Sequence, residues 1–291
     1  MPTTWFNDQL NTFETAYKIE LEKIKAPERL KEAILYSTLN GGKRLRALLT
    51  LASGELCLAD TEILTPIAAA IESIHAYSLI HDDLPAMDDD EYRRGKLTCH
   101  KAFDEATAIL AGDALLTFSF ELLSHIEGLS AEKRLQIIQL YSVAAGSYGM
   151  VGGQYIDLAS ENSVITLHEL ETIHRKKTGA LIKAAILAGA IAGDVDADTY
   201  DRLSVYADNI GLAFQIKDDI LDITGTQEEL GKMPGSDLLQ DKSTYISLLG
   251  LEESVKKLNS LTAEAIELLT PLGERATPLI DLANYIQKRN H

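Results

Sequence analysis

Apolar residues recur along this chain at steps of three and four. Phe6, Leu10, Phe13, Tyr17 and Leu21 mark one such stripe, and Leu45, Leu48, Leu49 and Ala52 another. That spacing puts each set on one face of an α-helix. The pattern predicts helices or helix pairs over 62–84, 104–126, 131–150, 166–191, 197–223, 243–270 and 276–289. Breaks fall at Pro27, Gly41-Gly42, Pro66 (early in its helix), Pro85, Gly128, Gly193, Gly225, Pro234-Gly235 and Pro271 to Gly273, residue types that end or kink helices. No alternation with period two runs long enough to predict a sheet. Residues 64–81 and 179–192 are apolar around most of the helical circumference, so they belong at the centre of a bundle and not on its surface. No linker, low-complexity segment or repeat interrupts the pattern. The expectation is one all-α domain, residues 1–291, with a buried central set of helices.

Composition narrows the partners. The chain is 46% hydrophobic and 24% charged, ordinary for a soluble globular protein. Its formal net charge of −17 argues against nucleic acid or an anionic membrane as partner, because both select a basic face. An anionic substrate must then be attracted locally, by metal ions or by clustered Lys and Arg. Cys57 and Cys99 make neither a disulfide framework nor a zinc set. The opening MPTTWFNDQLNTFETAY lacks the basic start and apolar core of a signal peptide. The longest uncharged apolar stretch, 184–193, is about half the length that spans a bilayer. A cytoplasmic location without membrane insertion is expected.

One stretch departs from this ordinary composition. LIHDDLPAMDDDEYRRG, residues 79–95, crowds Asp82, Asp83, Asp88, Asp89, Asp90 and Glu91 behind an apolar run and ahead of Arg93 and Arg94. Such carboxylates repel one another. Either water screens them in a surface loop, or a hard cation such as Mg²⁺ sits among them, held by one or two carboxylates and completed by water and phosphate. Asp82 and Asp88 lie about 240° apart on a straight helix, on different faces. Pro85 should break the helix and let the chain bring Asp88 back towards Asp82. A second acidic patch stands in FQIKDDILDITG, where Asp218 and Asp222 share a helical face with Asp219 beside them. Cations accompany the acids. NGGKRLR places Lys43 and Arg46 on one side of a starting helix, Lys177 and Thr178 precede the apolar run at 179–192, and Lys232 and Lys242 lie in a Gly-punctuated loop. Any one of these residues reads as solvated surface. Together they fit a site for two diphosphates, one bridged by metals and the other clamped by Arg and Lys.

Six motifs stand in the order and spacing of a known family: GGKRLR, DDxxxxD followed by RRG, GxxGMxxGQxxDL at 146–158, KTG, FQxxDDILD, and GK…KSTY. On these residues the chain resembles the trans-prenyl diphosphate synthases, the bacterial farnesyl diphosphate synthases most of all, over nearly its whole length. The resemblance implies an isoprenoid-synthase-type bundle of roughly ten or more helices around a large central cavity. It implies that Asp82, Asp88 and Asp218 hold Mg²⁺ (about three ions, with Mn²⁺ as a substitute), and that Asp83, Asp219 and Asp222 stand behind them, solvated or touching metal at most through water. The metals would pull diphosphate from an allylic substrate, isopentenyl diphosphate would attack the allylic cation, and a proton would leave with the departing diphosphate. Dimethylallyl and then geranyl diphosphate would be the allylic partners and farnesyl diphosphate the product; geranyl or geranylgeranyl diphosphate is the alternative product.

By position, Lys43, Arg46, His75 and Arg94 match the family's isopentenyl diphosphate clamp. Arg93, Lys177, Lys232 and Lys242 match partners of the allylic diphosphate, with Thr178 and Gln215 near the cation. Tyr77 stands where the farnesyl branch carries an aromatic, and with Ser78 is expected to limit product length. Gly146, Gly149, Gly152 and Gly153 are expected to let helices cross closely, while Gln154 and Asp157 orient Lys177 or metal-bound water. The family's homodimer would use the apolar helix at 104–120. The chain departs from the family at Ile246, where proline is common, and in its final QKRNH, where lysine is usual but Arg289 remains. A terpene cyclase would replace the second acidic motif with an Asn/Ser/Glu type, and a non-catalytic subunit usually lacks one motif. Both motifs are intact here.

Overall fold

The two stretches apolar on all sides become the buried axis of a helical bundle, described here for residues 4–161, 163–225 and 243–290 of a computed structural model. The chain begins with α1 (Thr4–Glu22), α2 (Glu28–Thr38), α3 (Leu45–Leu56) and α4 (Thr61–Asp82). A hairpin of β1 (Tyr92–Arg93) and β2 (Lys96–Leu97) leads into α5 (Cys99–Ala102), α6 (Glu105–Ser124), α7 (Ala131–Ala145), α8 (Met150–Ala159) and α9 (Leu167–His174). Then come α10 (Ala180–Ala192), α11 (Ala197–Thr224), α12 (Tyr245–Leu249), α13 (Leu251–Leu269) and α14 (Thr277–Lys288). The expected all-α fold is the fold observed.

Helix α4 packs on α6 and α3, and α10 packs on α3, α7 and α11, so these two supply the centre. Their apolar side chains leave no exposed face to screen: Leu64, Ile67, Ile71, Ile74, Leu181, Ile182 and Ile186 are fully buried. Three of the fully buried tyrosines have satisfied hydroxyls, as such a core favours. Tyr17 pairs with Ser73 at 3.0 Å, Tyr141 donates to the Ile67 carbonyl at 3.2 Å, and Tyr206 donates to the Leu279 carbonyl at 2.8 Å. Helix starts follow local chemistry. Asp104, Ser130 and Asp196 accept backbone N–H bonds at the first turns of α6, α7 and α11, and Thr166 with Glu169 forms a capping box on α9.

Three features differ from the sequence expectation. The run over 131–150 is interrupted, because Gly146 ends α7 and Gly149 starts α8. The run over 166–191 contains a π-helical turn, Arg175–Gly179, between α9 and α10. A short antiparallel hairpin pairs Tyr92 with Leu97 and Arg93 with Lys96; it is too short to have left an alternating signal. Apolar reach is also greater than the 184–193 stretch suggests. Both α4 and α6 are long and apolar enough to cross a membrane by length and composition, but 67% of the α4 window is buried inside the bundle.

Helices α3 and α10 cross at backbone distance. A Cβ built on Gly189 would overlap Ser53 Oγ and the Thr50 carbonyl oxygen, and Thr50 Oγ1 donates across the same crossing to the Ala185 carbonyl at 3.0 Å. Gly189→Ala is therefore an overpacking change, expected to cost about 1–3 kcal/mol. Chemical denaturation reads this directly; an unchanged unfolding midpoint would mean that the two helices can separate without penalty.

Candidate active site

Helix α4 ends at Asp82, three residues before Pro85. The chain then turns back, and the Asp88 N–H donates to the Asp82 carbonyl at 2.9 Å. The bend inferred from Pro85 is therefore present. Asp89 sits in the left-handed region (φ 50), as do Arg94 (φ 53) and Gly95 (φ 75) at the hairpin tip. Two consecutive residues with positive φ make the tight turn that matches strand twist. The hairpin carries Arg93 back to Asp83: Arg93 Nε is 2.7 Å and Nη2 2.5 Å from Asp83 Oδ1, and Nη2 is 3.4 Å from Asp90. Asp83 thus faces a guanidinium. Asp82 is less well compensated. Burial pushes its carboxyl up to about 6; Lys177 and Arg93 pull it down while Asp88 and Asp83 push it further up.

This arrangement fits Mg²⁺. Among the described residues no three acidic, His or Cys side chains converge as a ready-made cluster. Mg²⁺ does not need one, since it takes one or two carboxylates and fills its shell with water and substrate phosphate.

Asp82 lines a cavity of about 590 Å³ together with Arg46, His75, Tyr77, Ser78, Lys177 and Thr178. Leu84, Met87, Ile109, Met150, Val151 and Leu158 supply apolar wall. Two buried donors there, Arg46 Nε and Gln154 Nε2, have no hydrogen-bond partner in the protein, which is costly unless a ligand or water accepts from them. His75 is held well below its usual pKa, first by burial and then by Arg46, Arg94, Arg93 and Arg44. Its surroundings therefore favour the neutral imidazole. Tyr77 lies edge-on to His81, with ring centroids 5.7 Å apart.

Lys177 and Thr178 lie in the π-helical turn, a local irregularity common at functional sites. Lys177 donates to Asp157 Oδ2 at 2.6 Å. Burial lowers the lysine's pKa, but Asp157, Asp82 and Asp88 more than offset this and raise it, so the ammonium persists. Asp157 therefore orients Lys177, one of the two roles expected of it. Gly153 lets α8 approach this turn, because a Cβ there would overlap the Lys177 backbone nitrogen.

The second acidic patch has separate partners. Asp218 Oδ1 accepts from Arg289 Nη2 at 2.7 Å, and the same guanidinium lies over the Phe214 ring at 4.2 Å. Lys43 belongs to this group: burial pushes its pKa down to about 8, with Arg289 and Arg94 adding to the shift and Asp218 opposing it. Asp219 Oδ2 accepts the Tyr245 N–H at 2.7 Å, so this acid anchors α12 to α11. Asp222 is buried on α11. Arg94 donates to the Gly41 carbonyl and lies against Gly42. Gln215 is half-buried on α11 and does not line the cavity. Lys232 and Lys242 lie outside the described residues. Sequence reasoning left Arg289 without a role; its contact with Asp218, 71 residues away, has no local signature.

A helical bundle whose core helices carry acids and bases into an apolar cavity is the architecture of the prenyl-transferring synthases. The chain belongs to the polyprenyl synthetase family, whose model matches residues 27–270. It is 46% identical over 291 residues to the farnesyl diphosphate synthase of Bacillus subtilis, covering 99% of this chain and 98% of that one. A crystal structure of a geranyltransferase from Legionella pneumophila superposes with a TM-score of 0.87 at 36% identity, covering 98% of this chain and 96% of the other. A Helicobacter pylori geranyltransferase, complexed with magnesium and isoprenyl diphosphate, superposes with a TM-score of 0.84 at 34% identity, covering 97% and 95%.

Asp82 makes a pH-dependent contribution to the metal-free protein. A carboxyl whose folded pKa is raised stabilises the native state when protonated, so stability is lost as pH rises from the ordinary aspartate range through about 6. In EDTA, Asp82→Asn should melt higher than the parent at pH 7.5, and the gap should close as pH falls towards about 4. Thermal melts at several pH values check this; a gap independent of pH would place the strain elsewhere.

Proposed function

We propose that this chain condenses isopentenyl diphosphate with dimethylallyl diphosphate, and then with geranyl diphosphate, to give all-trans farnesyl diphosphate. The observation that carries this reading is the mixed character of the cavity. Arg46, His75 and Lys177 offer groups suited to diphosphate and Asp82 a carboxylate suited to its metal, while Met87, Ile109, Met150, Val151 and Leu158 offer a surface suited to a hydrocarbon tail. A substrate with a charged head and an isoprenoid tail matches both.

Asp82, Asp88 and Asp218 would hold Mg²⁺, about three ions with substrate bound and Mn²⁺ as a substitute. The bound metal would supply Lewis-acid stabilisation of the leaving diphosphate. The chain's own residues do the rest. Lys43, Arg46, His75 and Arg94 hold isopentenyl diphosphate, and Arg93, Lys177, Lys232 and Lys242 hold the allylic diphosphate. Lys177 stays protonated because Asp157 holds it, so it contributes charge and not base catalysis. Thr178, on the cavity wall, would offer its oxygen to the developing cation, Gln215 would have to turn in from α11 to do the same, and the apolar wall keeps water out. The departing diphosphate takes the proton.

Residues 1–291 act as one domain in this reading, in the cytoplasm and as a homodimer. The dimer is supported by Ile109, Val151 and Tyr155, which border the cavity yet are 43%, 50% and 73% exposed. A second copy covering α6 and α8 would remove them from water.

Product length follows from Tyr77. It is nearly buried, faces the same cavity as Asp82, and stands five residues back on α4, a rise of about 7.5 Å. In this reading its ring is the wall that stops a tail growing from the diphosphate site at fifteen carbons. Tyr77→Ala should shift the products towards twenty carbons or longer with turnover largely kept, as read by chromatography of the dephosphorylated products. An unchanged fifteen-carbon product would move the length limit to another wall.

A further inference from the structure

The arginine between the two clamp residues points the other way. Arg44 occupies the N-cap position of α3 with φ 45, a left-handed conformation that a non-glycine residue adopts only when its surroundings demand it. Its surroundings do. Arg44 Nε donates to Glu14 Oε1 of α1 at 2.6 Å, and Nη2 reaches Glu14 Oε2 at 3.4 Å. Nη2 also donates to the Thr38 carbonyl at 2.7 Å, Nη1 lies 3.7 Å from Glu72 Oε2 on α4, and the guanidinium stands over the Tyr17 ring at 5.5 Å. The side chains of Arg44 and Glu72 are 4% and 3% exposed, and that of Glu14 is 33% exposed.

Glu72 has a second task. An arginine cannot accept the free N–H groups at the start of a helix, and α3 has no side-chain cap of its own. Glu72 Oε1 supplies it from α4, accepting the Ala47 N–H at 3.1 Å. A buried carboxylate at this end also suits the helix dipole. Carboxylates from other helices therefore hold the residues on both sides of Arg46, through the Arg44 side chain and the Ala47 N–H, and so fix the backbone from which it projects.

We propose that Glu14 is a positioning residue for the isopentenyl diphosphate clamp: by holding Arg44 inward in its left-handed conformation, it sets the turn that aims Lys43 and Arg46 at the diphosphate. The inference rests on the reading of Lys43 and Arg46 as that clamp. Glu14 touches no substrate, and it acts from α1, which no motif in the sequence marks. When Glu14 is removed, Arg44 keeps the Thr38 carbonyl, Glu72 and the Tyr17 ring but loses its shortest ion pair, so the turn is held less tightly and the two clamp residues are aimed less well.

The test compares Glu14→Ala, Glu14→Gln and Arg46→Ala by steady-state kinetics, at a temperature where melts show each variant fully folded. Glu14→Ala should raise KM for isopentenyl diphosphate about tenfold, the scale expected from losing one charge-assisted hydrogen bond in the support. KM for geranyl diphosphate should stay within about twofold and kcat should be largely kept. Glu14→Gln keeps one acceptor for Arg44 and should fall between Glu14→Ala and the parent. A merely structural role would lower the melting temperature while leaving both KM values alone, and that result overturns the proposal. So does an equal rise for both substrates, provided Arg46→Ala is selective for isopentenyl diphosphate. If Arg46→Ala is itself unselective, the clamp reading fails and takes this inference with it.

Discussion

The structure turns on one unfavourable charge. Asp82 ends a core helix beside an apolar cavity, where burial and its neighbours Asp83 and Asp88 raise its carboxyl more than Lys177 and Arg93 lower it. A protein that needed only a stable fold would avoid this arrangement. Here the surroundings are built to maintain it. Pro85 stops α4 so that Asp88 can return to Asp82; the hairpin delivers Arg93 to Asp83, which leaves Asp82 as the under-compensated acid; and Asp157 fixes Lys177 nearby without neutralising the pair. The remaining attraction for positive charge is what a divalent cation carrying a diphosphate would satisfy.

Strain gathers in the same region. Among the described residues, four non-glycine residues have positive φ, and Arg44, Asp89 and Arg94 are three of them. Each lies in a motif assigned to diphosphate or metal. Sparsely populated backbone conformations of this kind cost about 1–3 kcal/mol each and persist only where packing over-determines them. Glu14 and Glu72 do this for the turn at Arg44, and Asp83 does it for the hairpin turn by holding Arg93 next to Arg94. They are stability elements whose product is geometry at the cavity.

Much of this was legible in the sequence, and the reasons for the exceptions are physical. Period and proline position were enough for the central helices and for the return of Asp88, because both are local properties of the chain. Spacing also put Lys43 and Arg46 on one side of a starting helix, but α3 begins only at Leu45, so Lys43 lies in the turn before it. It did not reveal that Arg44 is turned inward, since left-handed arginine has no composition signal and its carboxylate partners come from α1 and α4. The contact of Arg289 with Asp218 and the bond from Tyr245 to Asp219 were hidden for the same reason: they join residues far apart in the chain. The glycines at 146–153 were read as one helix crossing another, whereas two of them separate α7 from α8 and Gly153 alone makes the close approach to Lys177. The π turn at 175–179 was missed because its apolar period differs little from that of a continuous helix.

The central claim is that the acids at the end of α4 are completed only by metal and diphosphate together. Thermal unfolding with Mg²⁺ alone, inorganic diphosphate alone, and both together tests it most directly, by linkage between binding and stability. The account predicts little change with either component alone and a rise of several degrees with both, abolished in Asp82→Asn. A full rise with Mg²⁺ alone would mean that the protein holds a preformed metal site, and no rise with both would mean that these carboxylates do not bind the metal–diphosphate complex.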